Sequence, residues 1–196
     1  LPWRVRAEAI FHMTENFAYL FLIALTILIW PAIRARQQID SGLWVYADLP
    51  ILAIAWLSVL VFYYVSQRRT GRGRLESLAA IPPLMSLGIG LAVNNGAAVL
   101  EALLGTGGGF VRTPKDGPVA RGSRPAAPLY RNPLGPHPII EACFAVYLAA
   151  ALVDVAHHGQ WFWVPFLLLF LVGYAATSLS SLFDVLQARR LALATH

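Results

Sequence analysis

The sequence predicts an all-α integral membrane protein with about four transmembrane helices, one cytoplasmic interfacial helix and a long glycine- and proline-rich loop. Of its 196 residues, 58% are hydrophobic and only 13% are charged, whereas soluble domains carry about 25% charged residues. Five long apolar runs approach or exceed the length of about 20 residues that crosses a hydrocarbon core. This composition excludes an ordinary soluble domain and a disordered chain, which needs low hydrophobicity and high charge.

Four of the apolar runs are predicted to cross the membrane as two hairpins. They are residues 16–33, 49–67, 138–156 and 161–183. Pro31 closes the first run, and Pro50 is expected in the first turn of the second helix, where its missing N–H costs little. Glu141 and Asp154 lie near the ends of the third run, so we expect water at the interface to solvate them. The hairpins occupy residues 16–67 and 138–187, between an interfacial segment at 1–15 and a cytoplasmic tail at 188–196.

The fifth run, residues 77–100, is predicted to lie along the cytoplasmic interface within a segment at 75–104. This placement leaves 13 of the 15 lysines and arginines on the cytoplasmic side, as the positive-inside rule requires. A crossing here would move the five basic residues of the following loop outside. Asn94 and Glu101 are seven residues apart and share one helical face, which is typical of an interfacial or shallow re-entrant helix. Both termini are then cytoplasmic.

Residues 105–137 form the predicted polar loop between the two halves. Seven of the 15 glycines and seven of the 13 prolines lie within residues 105–138, so this stretch cannot build a core. Its length exceeds that of a simple connector, which indicates function or partner contact. The net charge of +5 is explained by membrane topology, and no nucleic-acid partner is expected.

Motifs for catalysis or metal binding are weak. The glycine-rich stretch at 105–109 lacks the GK[ST] ending of a P-loop, so a flexible hinge is expected there. His157 and His158 are adjacent but lack a third metal ligand, and His12 and Glu15 form a single HxxE pair, which is not a complete site. The one cysteine, Cys143, excludes an internal disulfide. We therefore predict no catalytic residue and no metal site in this chain.

Two segments and one short motif resemble a known family. The first segment is LPWRVRAEAIFHMTEN at 1–16, and the second is SLGIGLAVNNGAAVLEALL at 86–104, which the sequence FVRTPK follows at 110–115. Together they resemble the C-terminal membrane region of processive family 2 glycosyltransferases, in the bacterial cellulose synthase and mannan-synthase-like group. That family orders its elements as two spans, an interfacial helix, a gating loop and two more spans, which agrees with nearly all of the chain.

The resemblance implies a substrate-binding gating loop. The family's loop carries FxVTxK and inserts over the nucleotide-sugar site, and Phe110, Thr113 and Lys115 match it in type and spacing. Arg112 replaces the valine, and this form is closer to the mannan-synthase-like group. Lys115, Thr113 and Arg112 would then meet a diphosphate leaving group. Without the resemblance, Arg112 and Lys115 are simply cytoplasmic charges that set topology.

The resemblance also implies what the chain does not contain. The family's aspartate, TED and QxxRW motifs do not occur in these 196 residues, and the chain begins about where QxxRW would end. A nucleotide sugar and Mg²⁺ are thus implied only where a catalytic domain is present. The expected location is the bacterial inner membrane, with the lipid bilayer and a glycosyltransferase catalytic domain as partners. The alternative is a stand-alone structural or accessory subunit of a larger membrane complex.

Aromatic residues of the spans are the remaining candidates for binding. Trp30, Tyr63, Tyr64 and Tyr174 would stack on sugars if the helices form a channel for a β-linked glycan. Core packing or anchoring at the membrane interface explains the same residues. A small transporter is disfavoured because the chain lacks paired broken helices and inverted halves.

Overall fold

The computed structural model describes residues 2–38, 43–106 and 135–194, and all regular secondary structure in these ranges is helical. In chain order the helices are α1 (Trp3–Thr14), α2 (Phe17–Gln37), α3 (Leu43–Arg69), α4 (Arg74–Ala79), α5 (Ile81–Gly90), α6 (Ala92–Leu104), α7 (His137–His157) and α8 (Val164–Ala194). A short 3₁₀ turn at Trp161–Trp163 precedes α8.

Four helical stretches among the described residues are long and apolar enough to cross a membrane. They are Trp3–Gln37, Arg74–Leu104, His137–His157 and Trp161–Phe183. The predicted all-α membrane fold is therefore confirmed. The predicted span at 49–67 lies within the helix α3, and the last helix continues to Ala194, into the predicted tail.

The segment predicted to be interfacial is divided into three helices. Pro82 and Pro83 lie at the start of α5, where proline is tolerated, and a second break at Leu91 separates α5 from α6. Asn94 and Glu101 are both exposed on α6, as their spacing predicted. The whole segment is also long enough to span, and its interfacial placement stays a prediction.

Two prolines were expected at helix ends and lie inside helices instead. Pro31 lies within α2, which continues past Arg34 and Arg36. Pro50 lies seven residues beyond the first residue of α3, Leu43. Membrane helices tolerate interior proline because neighbouring groups satisfy the freed backbone carbonyls. The charge-free runs therefore marked apolar segments correctly but underestimated the helix lengths.

The core lies where α7 and α8 pack together, with α2 and α5 against them. The buried apolar side chains shared by these helices are Ile29, Ile33, Ile89, Leu148, Ala151, Val155, Leu167, Phe170 and Tyr174, joined by Val93 of α6. The opposite faces of the same helices expose large apolar side chains, among them Phe21, Val146 and Val172. This arrangement is typical of helices that contact lipid on one side and protein on the other.

At the α5–α8 seam, two helix backbones come into close contact. Ser86 and Gly90 are four residues apart on α5, and they meet Gly173 and Thr177, which are four residues apart on α8. A Cβ atom at position 90 would lie 2.5 Å from the Gly173 carbonyl oxygen. Small residues spaced by four allow such contacts between membrane helices. The seam holds α5 against the last long helix.

Candidate functional site

A groove of about 620 Å³ opens between α2, α3, α5 and α8. Its volume lies within the range of about 300–1,000 Å³ that is typical of small-molecule sites. The lining is predominantly apolar and includes Leu22 and Leu25 of α2, Met85 and Ile89 of α5, and Leu169 of α8. Because the groove lies between four helices of a membrane protein, a ligand there would be largely screened from water.

Aromatic side chains line the groove from two helices. The rings of Trp56 and Phe166 lie 5.6 Å apart between centroids, and those of Phe166 and Phe170 lie 4.7 Å apart. Tyr63 adds a further ring on the same face of α3, two turns beyond Trp56. Aromatic faces provide broad apolar contact, and Tyr and Trp can also hydrogen-bond at their edge. The groove therefore offers stacking surfaces rather than reactive groups.

Polar side chains lie at the end of the groove where α2 begins. Glu15 and Asn16 are exposed there, and Tyr19 follows one turn later. Glu15 also faces His12 of α1, with Nδ1 and Oε2 3.9 Å apart. A ligand would enter past hydrogen-bonding groups and continue between apolar and aromatic walls. This arrangement can bind or guide a molecule, and among the described lining residues only Glu15 has an ionisable carboxyl group.

The four aromatic residues that the sequence gave as candidates for stacking on sugars have different positions in the structure. Tyr63 lines the groove, but Tyr64 is not among the lining residues. Trp30 donates its indole N–H to Asp154, and Tyr174 is fully buried against Thr26. Packing therefore explains two of the four candidates.

Sequence reasoning missed Trp56, Phe166, Phe170 and Tyr19 as groove residues. No spacing rule singles them out, because each apolar run contains several aromatic residues. The helix faces that point to the groove depend on how α3, α5 and α8 are rotated in the bundle.

The predicted gating-loop residues Phe110, Arg112, Thr113 and Lys115 lie outside the described residues. The described chain stops at Thr106 and resumes at Gly135. The entry to the loop is nevertheless defined: Gly105 has a φ of +67°, and the Thr106 N–H donates to the Glu101 carbonyl at 3.0 Å. This geometry ends α6 with a glycine in the left-handed region.

A second polar cluster ties α2 to α7. Trp30 Nε1 donates to one Asp154 carboxylate oxygen at 2.8 Å, and the Arg34 guanidinium pairs with the other. His158 Nδ1 lies 3.4 Å from the same carboxylate and 2.8 Å from the Asp154 carbonyl. The solvated position expected for Asp154 is wrong, because its side chain is only 11% exposed. His158 thus belongs to a structural cluster.

Glu141 is also more enclosed than the sequence predicted. It is 4% exposed, and its Oε2 atom has no hydrogen-bond partner among the described residues. It faces Thr177 of α8 and His137 of its own helix. The expectation of solvation is wrong because α8 covers this face of α7. Within the described residues, no group of three or more His, Cys, Asp or Glu side chains is placed to hold a metal ion.

Comparison with known proteins adds no family to these observations. No family model, curated protein or solved structure matches this chain.

Proposed function

We propose that this chain is the membrane-embedded C-terminal part of a glycosyltransferase that makes or exports a β-linked polysaccharide from a nucleotide sugar. The single observation that carries the proposal furthest is the aromatic groove between α2, α3, α5 and α8. Aromatic rings that stack on pyranose rings can guide a glycan through an apolar environment without holding it at one point. The FVRTPK motif at 110–115 supports the same function.

In this proposal the chain binds and guides the glycan, and catalysis belongs to a cytoplasmic domain that carries the family's aspartate motifs. The nucleotide sugar and Mg²⁺ bind to that domain. The gating loop closes over the donor, where Lys115 and Arg112 neutralise the diphosphate and closure excludes water. The location that follows is the bacterial inner membrane, with both termini in the cytoplasm.

The groove is tested by glycan synthesis in membranes that contain the variant protein. Tyr63→Ala removes a ring that lines the groove, and Phe21→Ala is the matched control because its ring is 72% exposed and lies outside the groove lining. Membranes are supplied with a labelled nucleotide sugar, and insoluble polymer is measured. We expect Tyr63→Ala to lower polymer yield at least about tenfold, since a misplaced acceptor reacts much more slowly. Membranes with Phe21→Ala should give a polymer yield close to that of the unchanged protein.

The gating loop is tested in the same assay. Lys115→Ala should lower polymer synthesis without changing the amount of folded protein in the membrane. Arg121→Ala, which removes a cation of the same loop outside the motif, is the matched control. Equal yields in all four variant membranes would contradict the proposal.

The stand-alone accessory subunit predicts a different result. In that case each variant gives the same polymer yield as its control. The chain also co-purifies in fixed proportion with unrelated membrane proteins. Polymer yield and the list of co-purified proteins therefore distinguish the two functions.

A further inference from the structure

Four arginines lie within seven residues where α3 ends and α4 begins, and all four are exposed. They are Arg68, Arg69, Arg72 and Arg74. Gly71 has a φ of +84°, in the left-handed region that commonly follows the end of a helix. The Gly71 N–H donates to the Arg68 carbonyl at 3.2 Å. The backbone of the turn therefore holds the four cations in one small surface, which we name the arginine turn.

Two of the guanidinium groups are held in place by the turn itself. Arg68 Nη1 donates to the Arg72 carbonyl at 2.5 Å, and Arg72 Nη1 donates to Gln67 Oε1 at 2.7 Å. Arg69 and Arg74 have no hydrogen-bond or ion-pair partner within the part of the chain that the structure describes. The turn is thus partly preorganised, with two guanidinium groups available for a ligand.

The nearby carboxylate does not neutralise the arginine turn. Glu76 is the only acidic residue between positions 68 and 78. Its Oε2 atom accepts the backbone N–H of Gly73 at 3.1 Å, in the first turn of α4. Four arginines and one glutamate leave a formal charge of +3 on this surface.

A membrane span at 49–67 would place the arginine turn at the depth of lipid headgroups. The 19 residues before Arg68, at 49–67, carry no charge. A helix of that length is about 28 Å long, close to the hydrocarbon thickness of about 30 Å. Arginines that follow such a run directly lie at the level of the phosphates.

Helix α4 adds two exposed leucines beside the arginines. Leu75 is 82% exposed and Leu78 is 53% exposed, and their spacing of three places them on the same side of the helix. The opposite side packs against the protein, because Ser77 is fully buried. The surface therefore combines cations with an adjacent apolar pair.

We infer that the arginine turn binds the headgroup phosphate of anionic phospholipids, with Leu75 and Leu78 inserted at the boundary of the acyl chains. Guanidinium groups match phosphate oxygens with paired hydrogen bonds, and basic clusters next to a membrane helix attract anionic lipids. An acidic protein or a nucleic acid would engage the arginines but leave the leucines in water. This surface is independent of the groove and of the proposed glycan.

The experiment measures lipid binding to the full chain. The protein is purified in a non-ionic detergent and titrated with phosphatidylglycerol or phosphatidylcholine, and bound lipid is counted by native mass spectrometry. We expect Arg69→Gln combined with Arg74→Gln to weaken phosphatidylglycerol binding by about 25-fold, since each arginine contributes about fivefold. The control pair, Arg4→Gln with Arg6→Gln on α1, should change it by at most about twofold.

A third variant tests the apolar half of the surface. Leu75→Asn combined with Leu78→Asn should also weaken phosphatidylglycerol binding, because the acyl boundary loses its contacts. Equal losses in the α1 control and the turn variant would overturn the inference, since general charge would then explain binding. Displacement of the lipid by inorganic phosphate at the same concentration would also overturn it, because a free anion would be the ligand.

Discussion

The α5–α8 seam and the α2–α7 seam hold their helices together by opposite means. At the first, Gly90 and Gly173 bring two backbones into contact. At the second, Asp154 of α7 accepts from Trp30 and Arg34 of α2, and Tyr147 donates to the Ile27 carbonyl at 2.7 Å. The rings of Trp30 and Tyr147 also meet edge to face, 5.3 Å apart.

The difference shows how helices associate where lipid is as apolar as the protein interior. Van der Waals contact and interhelical hydrogen bonds replace the hydrophobic effect as the main attraction. The close seam depends on the absence of side-chain atoms, whereas the polar seam depends on their presence. Substitutions at the two seams should therefore lower the free energy of unfolding for different physical reasons and by different amounts.

The largest effect is expected from Gly90→Ala. Its Cβ would lie 2.5 Å from both the Gly173 carbonyl oxygen and Thr177 Cγ2, so α5 must move away from α8. We expect a loss of about 3 kcal/mol in the free energy of unfolding, measured by steric trapping in bicelles. Gly88→Ala is the matched control, because its Cβ would meet only Tyr63 Oη at 3.8 Å. Similar losses in both variants would contradict the close seam.

The next effect is expected from Asp154→Ala at the polar seam. The change leaves the Trp30 indole N–H and the Arg34 guanidinium without their acceptor. We expect a loss of about 2 kcal/mol in the free energy of unfolding, as for hydrogen bonds to charged groups. A double-mutant cycle with Arg34→Ala isolates the ion pair, and additive losses would show that Asp154 and Arg34 do not interact.

A smaller effect is expected from Tyr174→Phe, which removes one buried hydroxyl in the core. The Thr26 hydroxyl donates its only proton to the Leu22 carbonyl at 2.8 Å, so Tyr174 must donate to Thr26 Oγ1 at 2.9 Å. Interhelical hydrogen bonds in membranes contribute about 0.6 kcal/mol on average, and we expect a loss of that size in unfolding experiments. Tyr64→Phe serves as the control, and a matching loss there would refute a specific Thr26–Tyr174 bond.

The smallest effect is expected from His12→Ala. The His12–Glu15 pair spans 3.9 Å, and its side chains are 68% and 62% exposed. Exposed pairs contribute little because water and salt screen them, so the free energy of unfolding should change by less than about 0.5 kcal/mol. A loss as large as that of Asp154→Ala would show that burial does not explain the difference in strength between the His12–Glu15 pair and the Asp154–Arg34 pair.

The sequence identified only part of the candidate groove. Tyr63 was predicted as a binding residue from its residue type, and it lines the groove. Trp30 was predicted on the same grounds, but it donates a hydrogen bond to Asp154 instead. Periodicity could not separate them, because both lie in long apolar runs whose rotation about the helix axis is unspecified. Glu141 was likewise misplaced, since its cover includes Thr177 of α8, which is more than 30 residues further along the chain.

By itself, the sequence determined the class of this protein. Apolar runs of about the length that crosses a hydrocarbon core predict membrane helices, since backbone N–H and C=O groups in lipid must bond within the segment. It also predicted that residues 105–137, where glycine and proline are concentrated, form a polar loop.

Only the tertiary structure decided which faces meet. The contact between Gly90 and Gly173, the enclosure of Asp154 and the ring pair of Trp56 and Phe166 each join residues that are more than 80 positions apart. In lipid, all apolar faces of a helix are nearly equivalent, so hydropathy does not distinguish a face that packs from one that contacts lipid. Shape and a few hydrogen bonds make that choice.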